Sequence, residues 1–190
     1  MATSKTVDSV LRPLKECPLQ AYLSNQLQVA DVVEWCLAQM EGEVTIRQTS
    51  FSISEEFIRR LYHIRRSGKV KDIQLLLDHK ATNKTLRLWP FIVQTIDHCF
   101  LADNHSKLIL IETQGTSLLE HGGCSYKDVA HVAIITSQNL TRGNRHECAI
   151  VTTAPEVFDT LSHEFQDLMQ YHSVPLSELF KSKLCQSLFT

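Results

Sequence analysis

The chain has 190 residues, of which 43% are hydrophobic and 21% are charged, and this composition indicates a globular protein with one buried core. A formal net charge of −2 excludes a protein that coats nucleic acid by overall charge, although it is compatible with a local basic groove. The sequence opens on no secretion signal and has no apolar run near the roughly 20 residues that cross a bilayer, so we expect a cytoplasmic protein without membrane contact.

The beginning of the chain is predicted to be an arm followed by a helix. Residues 1–18 are polar, lack a clear period and contain two prolines, which predicts a flexible N-terminal arm. Apolar side chains in residues 19–42 recur at spacings of three and four, which predicts an amphipathic N-terminal helix that ends at Gly42.

Residues 43–172 are predicted to form an α/β domain, and residues 173–190 a C-terminal tail. Strands are predicted over residues 43–51, 70–77, 105–112, 131–137 and 146–152, and helices over 52–68, 83–99 and 155–171. Pro90 is expected to kink the second helix or to mark its first turn. Strands that alternate with helices in this way favour a layered α/β architecture around one sheet.

Side chains able to carry chemistry concentrate around two predicted strand ends. His105 and Lys107 stand two residues apart, and so do Ser137 and Asn139. Because strand side chains alternate between faces, each pair can point to one side. Attack on phosphorus needs a nucleophile, which histidine supplies, and donors for the non-bridging oxygens, which lysine and asparagine supply. The set therefore suits a phosphodiester and requires no metal or other cofactor.

These residues resemble the signature of the phospholipase D superfamily, which is His-x-Lys, an acidic residue, a Gly/Ser-x-Asn element and a downstream Glu. The likeness extends over residues 44–170 and is strongest between 105 and 151. It implies an α/β fold with a phospholipase-D-like mixed sheet flanked by helices and one motif per chain. It also implies a set of catalytic residues, namely His105, Lys107, Ser137, Asn139 and Glu147.

Two positions depart from the family pattern. The acidic residue five positions after the lysine is Glu112 where the family has Asp, and the residue before Ser137 is Thr136 where the family usually has Gly. The acidic position is expected to be structural, and the threonine is expected to narrow the approach to the phosphate.

The sequence has one His-x-Lys motif, whereas the family mechanism uses two histidines. One attacks phosphorus to form a phosphohistidine, and the other protonates the leaving oxygen and then activates water. The resemblance to small bacterial nucleases of this family implies a homodimer with a shared site. Lys107 and Asn139 would bind non-bridging oxygens, and Glu147 would hold a ring nitrogen of a histidine.

For the substrate, the resemblance favours nucleic acid, with DNA first, because single-motif members are commonly nucleases. Arg142 and Arg145 are predicted to contact neighbouring phosphates. Two alternatives are a catalytically silent module that binds nucleic acid or assists assembly, and a phosphodiesterase that processes phospholipids. The chain lacks a basic amphipathic segment suited to a membrane surface, which argues against the lipid substrate.

Each residue assigned to the site also has an alternative interpretation in which its role is purely structural. A histidine at a strand start is often a surface or capping residue, Ser137 and Asn139 could serve a turn, and Glu147 could be a solvated strand residue. The basic run of residues 59–71 could contact phosphates or form a solvated helix face. His121 and Cys124 are expected in a flexible loop, and the six scattered cysteines are expected to be reduced and mostly buried.

Overall fold

A mixed sheet of eight strands forms the centre of the protein, in a computed structural model that describes residues 7–113 and 129–188, with side chains as far as Ser182. The strands are β1 (Leu19–Ser24), β2 (Val44–Ser50), β3 (Val70–Asp78), β4 (His98–Ala102), β5 (Leu108–Thr113), β6 (His131–Thr136), β7 (Glu147–Thr152) and β8 (Ser173–Pro175). The helices that lie wholly within these residues are α1 (Val29–Leu37), α2 (Glu55–Arg66), α3 (Thr82–Arg87), α4 (Trp89–Thr95), α5 (Pro155–Tyr171) and α6 (Leu176–Leu188).

The strand order is β1-β7-β6-β5-β2-β3-β4-β8. Strands β2, β3 and β4 run parallel, and all other neighbouring pairs are antiparallel. The prediction of a layered α/β fold with a mixed sheet flanked by helices is confirmed.

Each face of the sheet has its own core. On the first face, the central strands pack against α1, α2 and α4, and Val44, Ile46 and Ile109 are fully buried there. On the second face, α5 inserts Phe158 and Phe165 against residues of β3, β4, β5 and β6. Helix α5 therefore covers only part of the second face.

Local signals explain why α2 forms where it does. The Oγ of Ser54 accepts a hydrogen bond from the backbone of Phe57, and two glutamates stand in the first turn, where negative charge is favourable. The helix ends before Gly68, which has φ +84°, a conformation that glycine adopts without strain. The predicted end near Gly68 is confirmed.

The structure corrects the prediction for the first 42 residues. Val7, Leu11 and Leu14 are buried, so residues 7–18 pack against the core and do not form a flexible arm. Residues Leu19–Ser24 form β1 at a sheet edge, and α1 begins only at Val29. Apolar residues of β1 and α1 together produced the spacing of three and four. This spacing hid the alternation of side chains between two faces that is typical of a strand such as β1.

Two further boundaries are wrong. The predicted helix over 83–99 is two short helices, α3 and α4, followed by β4, because Leu88 leaves the helical path before Pro90. The predicted C-terminal tail contains β8 and α6. Since β1 and β8 are edge strands of the same sheet, the folding unit extends beyond residues 43–172 on both sides.

The described cysteines are free thiols at positions 17, 36, 99 and 148. Burial raises the pKa of Cys99 to about 12 and raises the pKa of Cys36 as well, so both stay protonated. Cys148 is exposed, contrary to the expectation of mostly buried thiols. The glycines at 115, 122 and 123, the segment from His121 to Cys124 and the side chain of Cys185 lie outside the described residues.

None of the helices in residues 7–113 and 129–188 combines the length and the apolar character needed to traverse a bilayer.

Candidate active site

Several strand ends meet at one edge of the sheet, which is called the active edge below. The strand directions place the carboxyl ends of β2, β3, β4 and β6 there, together with the amino ends of β5 and β7. His105 lies in the link between β4 and β5, Ser137 follows β6, and Glu147 begins β7. The topology therefore brings together residues that are up to 42 positions apart in the sequence.

His105 and Lys107 are in contact at the active edge. The Nζ of Lys107 donates a hydrogen bond to the backbone oxygen of His105 at 3.0 Å and lies 3.5 Å from its Nδ1. The imidazole is exposed and stands 5.6 Å from the ring of Phe51, centroid to centroid. Both residues precede β5, which starts at Leu108, so the predicted strand from 105 begins three residues too early. His105 and Lys107 therefore lie together because they contact each other directly. The predicted reason, that alternate side chains of one strand point to the same face, does not apply to them.

The loop that carries His105 is held by its neighbours. The Oδ1 of Asn104 accepts hydrogen bonds from the backbone and the hydroxyl of Ser106 at 3.0 and 2.5 Å. The hydroxyls of Ser106 and Thr49 are 2.7 Å apart, and Thr49 also accepts from the backbone of Leu108 at 3.1 Å. These contacts fix the backbone on both sides of His105.

Asp78 at the end of β3 ties this loop to the next strand. Its side chain is buried and accepts from the backbone of Lys80 at 2.6 Å and from the backbone of Asn104 at 3.3 Å. One carboxylate thus positions the residue before His105 and the turn that leads into α3. Sequence reasoning missed Asp78, although a polar residue directly after an apolar strand is the signal that could have identified it.

Ser137 and Glu147 form a second pair. The Oγ of Ser137 donates to the Oε2 of Glu147 and accepts from the backbone of Cys148 at 3.1 Å. The backbone of Thr136 donates to the backbone oxygen of Lys107 at 3.0 Å, so this pair is directly beside the His105 loop. Glu147 makes no hydrogen bond to His105 within the described chain.

Thr136, which stands where the family usually has Gly, has a structural role. Its Oγ1 donates to the backbone oxygen of Cys148 and accepts from the backbone of Gln138, both at 3.0 Å. The threonine hydroxyl therefore shapes the turn at the end of β6.

Asn139 lies at the end of β2 and not beside Ser137 on a strand, because β6 ends at Thr136. Its Oδ1 is 3.3 Å from the Oγ of Ser50, which also accepts from the backbone of Leu140 at 3.1 Å. The carboxamide oxygen of Asn139 therefore faces Ser50, and its amide nitrogen is left to donate a hydrogen bond. Ser50 is a second residue that sequence reasoning missed.

Gln138 anchors the loop between these residues. Its buried side chain accepts from the backbone of Val29 at 2.8 Å and donates to Gln28 at 2.9 Å, at the start of α1. Gln138 therefore anchors the loop that carries Ser137 and Asn139 to the start of α1, which lies far from this loop in the sequence.

The basic run of residues 59–71 is mostly paired within the chain. Arg59 binds Glu55, and Arg65 binds Asp97. Burial acts to lower the pKa of Arg60, but its hydrogen bonds to Asp31 and Glu34 raise the pKa. The structure therefore favours a paired helix face over a phosphate-contacting surface.

Arg142 and Arg145 differ in their surroundings. The guanidinium of Arg142 is 3.2 Å from Glu56 in a largely exposed pair, and such pairs are weak in water. Arg145 is exposed and makes no ion pair with the described residues. The part of the chain that the structure describes contains no group of three or more side chains suited to hold a metal ion.

Comparisons with known proteins bear on the fold. No protein-family model and no curated protein sequence matches the chain. Among solved structures, it is similar to Nuc from Salmonella typhimurium, a phospholipase D family member, at 14% identity and a TM-score of 0.56 over 83% of this chain and 96% of Nuc. NucT from Helicobacter pylori gives 13% identity and a TM-score of 0.52 over 83% of this chain and 98% of NucT.

A polyphosphate kinase from Porphyromonas gingivalis gives 18% identity and a TM-score of 0.58, over 87% of this chain but only 28% of the kinase. The three neighbours carry different descriptions, so the likeness concerns architecture and not activity. Two of them match this chain over nearly their whole length, and Nuc is a phospholipase D family member. The chain therefore has the fold of the phospholipase D superfamily.

Proposed function

We propose that the chain is a metal-independent phosphodiesterase, an endonuclease that cleaves DNA through a phosphohistidine, with an active site shared by two identical copies. The observation that carries this proposal is the position of the His105–Lys107 pair directly beside the Ser137–Glu147 pair at the active edge. A nucleophile, a cation and a carboxylate meet there at the ends of three adjacent strands, β5, β6 and β7.

The reaction has two steps. In the first, a ring nitrogen of His105 attacks phosphorus, the N–P bond forms and the P–O bond to the leaving strand breaks, while a second imidazole gives a proton to the leaving oxygen. In the second, that imidazole takes a proton from water, the water oxygen bonds to phosphorus and the N–P bond breaks. The products are a phosphate monoester and a free hydroxyl.

Three side chains support these steps. Lys107 lies beside His105 and provides positive charge for the non-bridging oxygens. Asn139 donates to the same oxygens with the end of its carboxamide that faces away from Ser50. Glu147 is oriented by Ser137 and holds a ring nitrogen of an imidazole, which sets its tautomer.

The second imidazole belongs to the partner's His105. The sequence contains one His-x-Lys motif, and Glu147 contacts Ser137 and not the histidine of its own chain. A two-fold axis that passes between the two copies of His105 supplies the missing group and leaves each Glu147 available to the partner's ring.

A polyanionic substrate is supported by a basic surface next to the active edge. Lys80, Lys84 and Arg87 stand at spacings of four and three on one side of a helical stretch, and residues 79–96 contain no acid. Lys84 and Arg87 make no ion pair with the described residues, and Lys80 approaches Asp103 only at 3.8 Å on an exposed surface. We call these three residues the basic stripe. In contrast to the arginines of α2, their charge is available to phosphates.

The proposal is tested by cleavage of plasmid DNA, single-stranded DNA and a bis-nitrophenyl phosphate ester by the wild-type protein and by His105→Asn. We expect loss of turnover on all substrates with an unchanged thermal melt, because an exposed loop histidine contributes little to the core. His146→Asn, an exposed histidine beside Glu147, is the matched control and keeps its rate. DNA binding without turnover in the wild type would favour the silent module, and turnover of phosphatidylcholine vesicles but not of DNA would favour the lipid substrate.

A further inference from the structure

Helices α2 and α4 lie side by side on the first face of the sheet, and a cleft runs between them. Its volume is about 280 Å³. Two partly exposed aromatic side chains, Tyr62 and Phe91, line it, and none of the described residues around it is acidic. The other lining residues are Ile58, Arg59, His63, Gln94 and Thr95. We call this feature the aromatic cleft.

Each aromatic ring of the cleft packs against a guanidinium. The Cζ of Arg59 lies 5.3 Å from the ring centroid of Phe91, and the Cζ of Arg66 lies 5.8 Å from that of Tyr62. The ring of His63 stands edge-on to Tyr62, with the two centroids 5.8 Å apart. Nucleobases stack on aromatic rings and on guanidinium planes, because all of these groups are flat. The cleft therefore offers two surfaces on which an unpaired nucleobase can stack.

The two arginines differ in the charge that they offer to a ligand. Arg59 also binds Glu55 on its own helix, so its charge is largely balanced. Arg66 is exposed and makes no ion pair with the described residues. Such a cation can bind the phosphate of a nucleotide whose base stacks nearby. The cleft thus provides a partner for each part of a nucleotide, a ring for the base and Arg66 for the phosphate.

Helices α2 and α4 run in the same direction. The contact between Arg59 and Phe91 joins their first halves, and Arg65 donates to the backbone oxygen of Thr95 at 2.9 Å near their ends. Helix α4 is followed by β4, whose amino end lies at the edge opposite to the active edge. Both helices, and the cleft between them, therefore lead away from the active edge.

One strand of nucleic acid is long enough to occupy the active edge and the cleft together. Helix α2 starts beside the candidate site, since the backbone N–H of Ser54 donates to the backbone oxygen of Leu140 in the loop after β6 at 3.0 Å. Tyr62 lies eight residues beyond Ser54, about 12 Å along the helix, which is the length of about three to four nucleotides in one strand of B-DNA. The basic stripe adjoins the cleft in the chain, because Phe91 follows Arg87 by four residues.

We propose that the aromatic cleft binds an unpaired nucleotide of a single strand that extends from the active edge. Its base stacks on Tyr62 or Phe91, and its phosphate binds Arg66. The choice of nucleic acid as the ligand rests on the proposed function, and the cleft adds a preference for the form of the strand. A blunt duplex cannot use the cleft, because its bases are paired and stacked within the double helix. The cleft therefore selects substrates with a single-stranded portion.

The test measures binding by chains that carry His105→Asn, so that cleavage does not interfere. Fluorescence anisotropy follows a labelled oligothymidine of about 12 nucleotides. We expect Tyr62→Leu, which keeps apolar volume but removes the ring, to bind this strand at least about fivefold more weakly, the lower bound for the loss of one base–aromatic stack. Tyr62→Phe keeps the affinity, because a phenyl ring also stacks on a base.

Two matched ligands separate base contacts from phosphate contacts. An abasic strand of the same length keeps every phosphate but has no bases, and a blunt duplex hides its bases. We expect Tyr62→Leu to leave the binding of both unchanged. Arg66→Gln weakens the binding of the oligothymidine and of the abasic strand, and it lowers the salt slope by about 0.7, the value for one phosphate contact of a single strand. Because Arg66 is exposed, this variant tests the cleft independently of the packing of Tyr62.

Tyr171→Leu is the matched control for the loss of a tyrosine ring. Tyr171 is 68% exposed at the end of α5, on the second face of the sheet. We expect this variant to bind all three ligands normally. Circular dichroism and thermal melts verify that each variant is folded.

Equal losses of affinity for the oligothymidine and the abasic strand in Tyr62→Leu would overturn the proposal, since the ring would then contact no base. So would an unchanged affinity in a folded Tyr62→Leu, or displacement of the oligothymidine by an equal concentration of thymidine monophosphate, since the cleft would then need no strand. If Tyr62→Leu behaves as expected while the wild type cleaves no phosphodiester, the cleft stands and the proposed function fails. If the wild type cleaves DNA and Tyr62→Leu binds the strand normally, the cleft proposal fails alone.

Discussion

The guanidinium of Arg47 on β2 donates to the carboxylate of Glu112 on β5 at 2.9 Å and lies 3.4 Å from the Oγ of Ser162 on α5. Glu112 occupies the acidic position at which the sequence departs from the family pattern. It stands five residues along from Lys107, roughly 16 Å at the rise of a strand, so it does not contact the candidate site. Its partners indicate that this acid joins the sheet to α5.

For Glu112→Gln we therefore expect a loss of stability and not of catalysis. Arg47 is mostly buried and would lose its charged partner, and because Glu112 is partly exposed the cost is only about 0.5–1 kcal/mol. Urea denaturation measures this loss against Glu164→Gln, an exposed glutamate on α5. A variant with normal stability but no turnover would assign Glu112 to the reaction instead.

Asp78→Ala is expected to damage both folding and catalysis. Removal of the buried carboxylate leaves the backbone N–H groups of Lys80 and Asn104 without their acceptor, at a cost of about 2–3 kcal/mol. Because Asn104 precedes His105, we expect the proposed nucleophile to shift, and a displacement near 1 Å lowers the rate of such a reaction by about 100-fold.

Asp103→Ala is the control for Asp78, since Asp103 lies in the same loop but is exposed. We expect it to keep stability and turnover close to the wild type. The measurements are denaturation curves and kcat on the bis-nitrophenyl ester at a temperature at which both variants are folded. Equal rates for Asp78→Ala and the wild type would show that the carboxylate does not position His105.

We expect the basic stripe to contribute to the binding of DNA but not to the binding of small esters. Its three residues extend over about 10 Å, the length of about three nucleotides in one strand of B-DNA. For Lys84→Gln and Arg87→Gln we expect weaker DNA binding and a salt slope that falls by about one for each lost contact. The rate on the bis-nitrophenyl ester stays unchanged.

Arg59→Gln is the matched control for the stripe, because Arg59 is as basic and exposed but is paired with Glu55. We expect a smaller change in its salt slope than for either stripe variant. If Arg59→Gln weakened DNA binding as much as Arg87→Gln, the difference between paired and unpaired cations would not determine which basic residues bind DNA.

EDTA is expected to leave the rate unchanged. In the proposed scheme, Lys107 and Asn139 supply the positive charge and the hydrogen-bond donor that a metal ion would otherwise supply, so each step uses the chain's own groups. The measurement is cleavage of plasmid DNA after dialysis against chelator, with Mg²⁺ added back to one half. Loss of cleavage with chelator and recovery with Mg²⁺ would contradict the phosphohistidine scheme.

Sequence patterns predicted the central elements well and the edges poorly. The run of residues 75–77 in β3 is buried on both faces of the sheet, and α5 has an apolar stripe, so the sequence of each element indicates its structure. Strand β1 is an edge strand whose apolar residues Leu19 and Leu23 are exposed, and the spacing of its apolar residues merged with that of α1.

The catalytic roles of the candidate residues stay a prediction, and the geometry that brings these residues to one edge of the sheet differs from the predicted one. The motif named His105, Lys107, Ser137, Asn139 and Glu147. Strand alternation was the wrong reason for their proximity, because His105 and Ser137 both lie in loops at the active edge. The supporting contacts of Asp78, Ser50 and Gln138 join strands and helices that are distant in sequence, and such pairings depend on topology.

Subunit mixing tests the shared site directly. Wild-type and His105→Asn chains in equal amounts, allowed to exchange, form about one quarter wild-type homodimers, one half mixed dimers and one quarter variant homodimers. A mixed dimer has one copy of His105 and therefore, in the proposed mechanism, lacks either the nucleophile or the acid, so only the wild-type homodimers turn over. We expect activity at about one quarter of that of the same total amount of wild-type protein, measured on the bis-nitrophenyl ester after exchange is complete. If each chain had its own complete site, half of the chains would remain active and the activity would be about one half. A value near one half, with mixed dimers verified by mass spectrometry, would reject the shared mechanism while leaving His105 as the nucleophile of a single-chain site.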